Sequence, residues 1–270
     1  MPYSEPTETD EMIDYDHGSN VHTAEGPRAA LPLILGGRKP GSLLDVGCGT
    51  GTWLAAALEF GVKDIFGVDG VAIPPEQMRI PARLCKHVDL TKPLDLGRRF
   101  DCVLCLEVAE HLDASTAGIL IASLARHSDL VIFSAACPGQ PGQHHVNCQW
   151  PAYWQDLFNE RGYACSEDAR WNIWNDSRIE SWYRQNLFIA QRDPGSAGNE
   201  PRLRPVIHPA IFEASLKRRS GAEFPEHLLQ IEQGRMPTIW YWTLPFRAAV
   251  NKIRRRLSGV RTITTSTDGS

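Results

Sequence analysis

Residues 43–51 have the sequence Leu-Leu-Asp-Val-Gly-Cys-Gly-Thr-Gly, and this stretch decides the fold class of the 270-residue chain. An apolar run with one acid, Asp45, leads into three glycines spaced two apart, and an Ala- and Leu-rich stretch at 52–60 follows. This order predicts a buried strand that turns sharply into a helix. Glycine suits such a turn because it adopts backbone angles closed to other residues and lets a ligand approach the main chain. The first N–H groups of the helix then point at that ligand.

Four further apolar stretches are predicted strands, at 64–69, 84–90, 100–107 and 129–134. Helical patterns at 52–60 and 114–127 lie between them, so strands and helices alternate along the chain. This alternation predicts a doubly wound, mostly parallel sheet. Ligands bind such sheets at the carboxyl ends of the strands. Three acids lie at those ends, namely Asp69, Asp89 and Glu107.

The glycine turn and these acids resemble the cofactor site of class I S-adenosylmethionine (SAM)-dependent methyltransferases. In that family the glycines admit the amino-acid end of SAM, an acid after the second strand accepts the ribose hydroxyls, and an acid after the third contacts adenine. The resemblance implies an α/β, Rossmann-like fold with a seven-stranded, mostly parallel sheet, and SAM as the cofactor. The SAM-binding residues that it implies are Asp45, Gly47, Cys48, Gly49, Gly51, Asp69, Asp89, Leu90 and Glu107.

Two other interpretations of the same residues compete with SAM binding. A nicotinamide dinucleotide site requires Gly-x-Gly-x-x-Gly, whereas the third glycine here comes one position early. Asp45 also disfavours a pyrophosphate next to the turn and favours a cationic or amine-bearing ligand. The simplest alternative is an ordinary α/β core with solvated acids at its strand ends.

The composition is that of a globular protein with a formal net charge of −4, which disfavours a general nucleic-acid binder because such proteins are basic. The acidic stretch 1–16 lacks the pattern of a signal peptide, and no stretch reaches the roughly 18 apolar residues of a membrane span. Of the seven cysteines, Cys102 and Cys105 form the one C-x-x-C pair, and their spacing points them to opposite faces of a strand. We therefore expect reduced thiols and a cytoplasmic location.

The chain is predicted to comprise a leader with a helix at 1–40, the SAM-binding core at 41–192, a breaker-rich linker at 193–201, and a helical tail at 202–270 whose end is disordered. The first helix is predicted at 23–35 with Thr23 as its cap. Aromatic residues and a basic amphipathic pattern at 240–257 fit peripheral contact with an anionic membrane surface. Docking on the protein's own acidic surface or on a second subunit is the simpler interpretation of that segment.

A second cluster of polar residues follows the fourth predicted strand. Glu107, Glu110 and His111 are three and four residues apart, so a helical turn places them on one face. The Gly- and Pro-rich loop after the fifth strand carries His144 and His145. Loops after neighbouring strands face each other across the ligand cleft of a doubly wound sheet. We therefore expect one of the loop histidines to complete a divalent cation site.

The predicted metal ligands are Glu107, Glu110, His111 and His145, and the carboxylates favour magnesium or manganese, with zinc as a further option. The Glu-x-x-Glu-His pattern with a distant histidine resembles the metal site of the small-RNA 3′-terminal 2′-O-methyltransferases. The same segment also resembles the ubiquinone-biosynthesis O-methyltransferases. A metal-free role in substrate binding or proton transfer stays open, as does a structural one. The predicted catalytic residues are His144, His145 and His111.

The stretch 142–154 resembles a group of bacterial methyltransferases encoded among glycan and natural-product genes. It carries Trp150, Tyr153 and Trp154, whose flat faces suit a sugar ring. The alternative interpretation of equal weight is that these aromatic residues begin a helix and belong to the core.

An alcohol ionises poorly at neutral pH, so its methylation needs a base or a metal. The histidine and carboxylate cluster supplies such groups, and the predicted reaction is O-methylation of a hydroxyl on a sugar, a glycan or another small molecule. Trp182 and Tyr183, between the last two strands of the implied seven-stranded sheet, are expected either to shape the substrate pocket or to cover the sheet edge. Two alternatives stay open: 2′-O-methylation of RNA, which the acidic charge disfavours, and a non-catalytic SAM-binding partner protein.

Overall fold

The computed structural model describes Tyr15 and residues 23–219. Its strands are β1 (Ser42–Val46), β2 (Asp64–Asp69), β3 (Cys85–His87), β4 (Cys102–Leu106), β5 (Leu130–Ser134), β6 (Tyr163–Ser166) and β7 (Phe188–Arg192). They form one seven-stranded sheet in the order β3-β2-β1-β4-β5-β7-β6. The strands from β3 to β5 pair in parallel, and β7 runs antiparallel to β5 and β6. The predicted Rossmann-like, mostly parallel sheet is therefore confirmed.

Seven α-helices occur in the described part of the chain: α1 (Glu25–Ile34), α2 (Thr52–Phe60), α3 (Ala117–His127), α4 (Pro151–Asn159), α5 (Asp168–Ile173), α6 (Ser181–Asn186) and α7 (Pro209–Arg219). None of these helices is long and apolar enough to cross a bilayer. The chain divides into two compact units, Met1–Phe212 and Glu213–Ser270. The sheet belongs to the first unit, and the predicted membrane-contact segment at 240–257 lies outside the described residues.

Each face of the sheet has its own hydrophobic core, because successive strand residues point to opposite faces. Leu44 of β1 and Cys105 of β4 pack in the core that α3 and α4 cover. Leu43 and Cys102 pack in the opposite core, which α1, α2, α5 and α6 cover. The C-x-x-C pair thus points to opposite faces, as predicted, and all seven cysteines are free.

The third strand is shorter than predicted, since β3 ends at His87 and Asp89 lies in the loop that follows. The Asp89 carboxylate accepts hydrogen bonds from the backbone N–H of Thr91 (2.9 Å) and from its hydroxyl. This local turn competes with strand pairing, which is a general property of aspartate side chains. The other strand predictions were correct to within one or two residues at each end.

The helix predicted at 23–35 runs from Glu25 to Ile34, and the prediction of Thr23 as its cap residue was wrong. Ala24 occupies the cap position. Thr23 lies one residue before the cap, and its hydroxyl accepts a hydrogen bond from the Gly26 N–H (3.4 Å). The helix predicted at 114–127 begins as the 3₁₀ turn Ala114–Thr116 and becomes α-helical at Ala117.

Residues 193–201, predicted to form a linker, pack against the sheet domain through Glu200. Its carboxylate accepts from the side chains of Gln155 (2.8 Å) and Asn159 (2.7 Å) and from the Cys165 N–H (3.2 Å). Desolvation opposes ionisation of Glu200, but these hydrogen bonds outweigh it and lower the pKa to about 2. Leu203, just beyond, is fully buried in the core.

Phe133 is the centre of an aromatic cluster, with ring centroids 5.3 Å from Trp154, 5.5 Å from Phe158 and 5.3 Å from Phe188. Phe133→Ala is expected to lower the free energy of unfolding by about 3–5 kcal/mol, because it leaves a cavity in a close-packed core. Urea denaturation followed by circular dichroism measures this loss. Leu58→Ala, at a 41 % exposed position of α2, is the control and should change stability little. An equal loss in both variants would contradict the assignment of Phe133 to the core.

Candidate active site

A cavity of about 490 Å³ opens at the carboxyl ends of β1, β2 and β4. This volume lies in the range of small-molecule binding sites, and the position is where doubly wound sheets bind ligands. All of the predicted SAM contacts except Gly51 line it: Asp45, Gly47, Cys48, Gly49, Asp69, Asp89, Leu90 and Glu107.

The turn after β1 needs its glycines for packing as well as for backbone conformation. Gly47 and Gly51 both have φ of +80°, a left-handed region that disfavours other residues. A Cβ on Gly47 would overlap the Val108 side chain, and one on Gly51 would lie 2.8 Å from Ile80. Protein neighbours therefore exclude side chains at both positions, whereas the sequence suggested that a ligand does. Gly51 is the cap residue of α2 and does not line the cavity, so its predicted role in ligand contact is not supported.

Two buried acids lie at the floor of the cavity. Asp45 is only 2 % exposed, and burial, followed by the charge of Asp69, holds the pKa of its carboxyl well above the usual value. The Asp69 carboxylate accepts from the N–H groups of Gly49 (2.7 Å) and Val71 (2.8 Å), which connects the end of β2 to the glycine turn. An amine or another cation near Asp45 would relieve the cost of its burial.

Asp89 and Leu90 lie at the edge of the cavity next to β2. The hydroxyl of Thr91 and the ammonium of Lys92, 2.9 Å away, lower the pKa of Asp89 below its usual value. Leu90 is buried and contributes an apolar surface beside this carboxylate.

Glu107 follows β4 and is held by amide side chains. Its backbone adopts φ of +56°, which is unusual for a residue with a side chain. Its carboxylate accepts from the side-chain amides of Asn186 (3.1 Å) and Gln140 (2.9 Å). The side-chain oxygen of Gln140, Oε1, accepts in turn from the Asn186 amide (2.9 Å). Burial raises the pKa of Glu107, and these hydrogen bonds counteract part of the rise. Glu107 is not part of the group of converging potential ligand atoms, although it was predicted as a metal ligand together with those residues.

Gln185 extends this amide network away from the cavity. Its side-chain amide donates to the side-chain oxygens of Gln140 (3.2 Å) and Asn186 (3.1 Å). Its side-chain oxygen, Oε1, accepts from the backbone N–H of His208 (2.8 Å). The segment after β7 is thus connected to the residues that hold Glu107.

Glu110, His111 and His145 converge, with one potential ligand atom from each lying within 4.8 Å of the others. Two backbone N–H groups of the loop, from Val146 and Asn147, donate to the Glu110 carbonyl at 2.9 and 3.0 Å and hold the loop against this turn. Glu110 is fully buried, and neither of its carboxylate oxygens has a hydrogen-bond partner among the residues that the structure describes. Burial, followed by the charge of Glu107, keeps its pKa well above the usual value.

Both histidines present an unprotonated ring nitrogen at neutral pH. His111 Nδ1 lies 3.4 Å from the His144 carbonyl, and His145 Nδ1 lies 3.0 Å from the Gln140 carbonyl. A carbonyl only accepts, so each Nδ1 carries the proton and each Nε2 keeps its lone pair. Burial and the neighbouring His145 lower the pKa of His111 to about 4, and burial lowers that of His145. This is the hydrogen-bonding pattern of metal-binding histidines.

His144 is exposed and does not line the cavity, so its predicted role as a base is not supported. Its backbone has φ of +46°, and its contribution to the cluster is the backbone carbonyl that His111 contacts.

The aromatic residues predicted as a platform for a sugar ring, Trp150, Tyr153 and Trp154, do not line the cavity either. Trp154 is 1 % exposed and packs on Tyr153, while Trp150 precedes α4 as its cap residue. The core interpretation is correct for Trp154 and for Tyr153, which packs against the core, whereas Trp150 is exposed.

Aromatic side chains form one wall of the cavity. Trp182 and Tyr183 line it, and the Tyr183 hydroxyl accepts from the Trp53 indole N–H (3.3 Å). Tyr15 packs edge-on against His111, with ring centroids 4.8 Å apart. The aromatic stretch before β7 therefore includes residues at the pocket.

The sequence model of a family described as a methyltransferase domain matches residues 21–186. The chain belongs to this methyltransferase family. The predicted enzyme class is thereby confirmed, and the match covers the glycine turn, the strand-end acids and the histidine loop.

A curated relative, the ribosomal protein L11 methyltransferase of Geobacter sulfurreducens, is 34 % identical over 137 residues, which are 47 % of this chain and 44 % of the relative. The chain thus matches less than half of that protein. Among solved structures, magnesium protoporphyrin IX methyltransferase from Synechocystis with bound S-adenosylhomocysteine (SAH) is 21 % identical, with a TM-score of 0.46 over 61 % of this chain and 80 % of that one. The sugar N-methyltransferase KedS8 from Streptoalloteichus is 18 % identical, with a TM-score of 0.46 over 72 % and 99 %.

Sequence analysis missed two residues that line this methyltransferase's cavity, Tyr15 and Gln140, and it missed Asn186, which donates to the Glu107 carboxylate. Tyr15 lies far from any motif, and Gln140 and Asn186 belong to types that are common on protein surfaces. The one available signal for Asn186 was its position just before β7, which pairs with the strand that leads to the histidine loop.

Asn186→Ala is expected to lower the free energy of unfolding by about 1–3 kcal/mol at neutral pH, because the buried Glu107 carboxylate loses the Asn186 amide and keeps Gln140 as its remaining amide donor. The native pKa of Glu107 lies above its unfolded value, so stability falls as pH rises from about 4.5 through the native pKa. Loss of the Asn186 amide raises that pKa further. The deficit of the variant should therefore grow as the pH rises from the native pKa of Glu107 in the wild-type chain to the higher one in the variant, as measured by urea denaturation at several pH values.

Asn159→Ala is the matched control, since it removes an amide from a different glutamate, Glu200. The pKa of Glu200 lies at about 2, so the deficit of this control should be constant above pH 4.5. A deficit of Asn186→Ala that does not vary with pH would show that Asn186 does not stabilise the ionised form of Glu107.

Proposed function

We propose that this methyltransferase transfers a methyl group from SAM to a hydroxyl of a sugar, a glycan or another small molecule. The observation that carries the proposal is the cavity that contains both groups of predicted residues. The buried acids Asp45 and Asp69 line it beside the glycine turn, and the cluster of Glu110, His111 and His145 lines it beyond Glu107.

The residues around the glycine turn fit SAM. Asp45, buried with a raised pKa, suits the cationic amine of the amino-acid end. Asp69, at the end of β2, suits the ribose hydroxyls, as strand-end acids do in other nucleotide sites. Asp89 and Leu90 offer a carboxylate and an apolar surface for the adenine. SAM supplies an activated methyl group, so the protein has to align the acceptor and remove its proton.

Proton removal from a hydroxyl falls to the cluster of Glu110, His111 and His145 in this proposal. The Glu110 carboxylate, which has no hydrogen-bond partner among the described residues, and the imidazoles of His111 and His145 fit a divalent cation, with magnesium or manganese favoured and zinc as a further option. A divalent cation supplies Lewis-acid chemistry that favours ionisation of a hydroxyl. Without a cation, His111 or His145 is neutral at physiological pH and is able to accept the proton itself.

A small acceptor fits the cavity better than a polymer does. SAM and the acceptor share about 490 Å³, and Tyr15, Trp182 and Tyr183 line it with aromatic surface. RNA-binding proteins are usually basic, whereas this chain has a formal net charge of −4. We therefore favour a compact hydroxyl compound over an RNA end.

Asp69→Ala is expected to weaken SAH binding by about 1–3 kcal/mol, because ribose hydroxyls would lose their acceptor in a buried cleft. Isothermal titration calorimetry with the full chain measures this effect. Asp64→Ala is the matched control, since Asp64 lies at the amino end of the same strand, away from the cavity, and pairs with Arg98. Unchanged affinity in Asp69→Ala would remove Asp69 from the site.

Mn²⁺ is expected to raise the Tm of the full chain by several degrees at saturation, because ligands that bind only the folded state stabilise it. Glu110→Gln and His145→Ala should abolish this shift. His144→Ala is the matched control, since its side chain lies outside the cluster and its carbonyl is retained, and it should keep the shift. If Mn²⁺ does not raise the Tm of the wild-type chain, or if methyl transfer survives exhaustive chelation, the metal-assisted mechanism is wrong. The mechanism with a histidine as the base then takes its place.

The proposed function is tested by methyl transfer from isotope-labelled SAM to a panel of sugars, glycans and small hydroxyl compounds. We expect label in an oxygen-bound methyl group of at least one compound, identified by mass spectrometry. SAH binding without transfer to any hydroxyl, amine or RNA acceptor would support the non-catalytic alternative.

A further inference from the structure

Two cysteines from distant parts of the sequence meet beside the glycine turn. The sulfurs of Cys48 and Cys85 are 3.3 Å apart. Cys48 lies between Gly47 and Gly49 and lines the cavity, whereas Cys85 is partly exposed on β3, at the edge of the sheet.

The strand between them makes this contact possible. β2 separates β1 from β3, and Gly67 of β2 is the register partner of Cys85. A Cβ on Gly67 would lie 2.6 Å from the Cys48 sulfur and 3.1 Å from its Cβ, so the Cys48 side chain occupies the space that a larger residue would fill. The absence of a side chain at Gly67 thus lets Cys48 reach across β2 to Cys85.

We propose that Cys48 and Cys85 form a reversible disulfide under peroxide, and that this disulfide distorts the cofactor turn and weakens SAM binding. The pair is a modification site, separate from the metal cluster. Its effect on SAM binding rests on the proposed function, whereas formation of the disulfide does not.

The local chemistry assigns a role to each sulfur. Cys48 is the more buried of the two, and its hydrogen bond with Cys85 lowers the pKa of Cys85 below the usual thiol value. The Cys85 thiolate is therefore the nucleophile that a peroxide reaches first. It takes one oxygen from hydrogen peroxide, giving a sulfenic acid and releasing water after proton uptake. The Cys48 thiol then attacks that sulfur, an S–S bond forms, and the oxygen leaves as a second water.

The disulfide requires movement of the glycine turn. An S–S bond is about 2.05 Å long. The two sulfurs are 3.3 Å apart, so they must approach each other by more than about 1 Å to form it. Cys48 is fixed on both sides, by its own N–H to the Val68 carbonyl (3.1 Å) and by the Gly49 N–H to Asp69 (2.7 Å). Closure of the disulfide therefore displaces the backbone that meets the amino-acid end of SAM and the acid assigned to its ribose.

The experiment treats the full chain with hydrogen peroxide, blocks the remaining thiols with N-ethylmaleimide, and maps the digested peptides by mass spectrometry. We expect a Cys48–Cys85 linked peptide that disappears on treatment with dithiothreitol. Bound SAH should slow its formation, because ligand and disulfide favour different positions of the turn. Calorimetry should show SAH binding weakened roughly tenfold in the oxidised chain and restored on reduction.

Cys85→Ser should lose both the linked peptide and the sensitivity of SAH binding to peroxide. Cys165→Ser, a buried cysteine on β6, is the matched control and should behave like the wild-type chain. Absence of the linked peptide in the wild-type chain, or an equal loss of SAH affinity in oxidised Cys85→Ser, would overturn the proposal. Failure of the reduced chain to bind SAH would instead count against the proposed function, while peptide mapping would still decide whether the disulfide forms.

Discussion

β1 pairs in parallel with β2 on one side and with β4 on the other, and the arrangement of the site depends on this double pairing. Asp45 is aligned with Gly67 and with Leu104, so the three strands end at nearly the same level. Parallel strands bring their carboxyl ends to one edge, and the residues that follow them are therefore neighbours whatever their separation in sequence. The glycine turn, Asp69 and Glu107 are close for this reason.

The same edge collects buried acids, and their electrostatics define what the cavity accepts. Asp45, Glu107 and Glu110 all have raised pKa values because burial disfavours their charged forms. The Glu107 carboxylate has amide donors, whereas the two carboxylate oxygens of Glu110 have no hydrogen-bond partner in the described part of the chain. An arrangement of this kind favours binding of cations, and the sulfonium and amine of SAM as well as a divalent metal ion meet that condition.

Local patterns were enough to predict the sheet and most of the cavity floor. An apolar stretch that ends in glycines or in an acid determines its own strand, and parallel pairing then determines where the end lies. Positions that depend on long-range packing were not predictable in this way. His145 was predicted as the metal ligand and converges with Glu110 and His111, but that His144 points away from the cavity was not predicted, and the left-handed backbone of His144 is a feature that only the folded loop shows. The amide network around Glu107 likewise joins residues that only the folded chain brings together.

The contact between Gln185 and the His208 backbone bears on how much of the chain is needed for a complete catalytic unit. The family match ends at residue 186, and β7 ends at Arg192. Yet the amide group of Gln185 is 1 % exposed and bonds at one end to the residues around Glu107 and at the other to His208. A protein shortened just after the sheet would leave that carbonyl oxygen buried without a donor and would remove the side chain of Leu203 from the core. The folded unit that holds Glu107 in place therefore extends beyond the matched family domain, at least to His208.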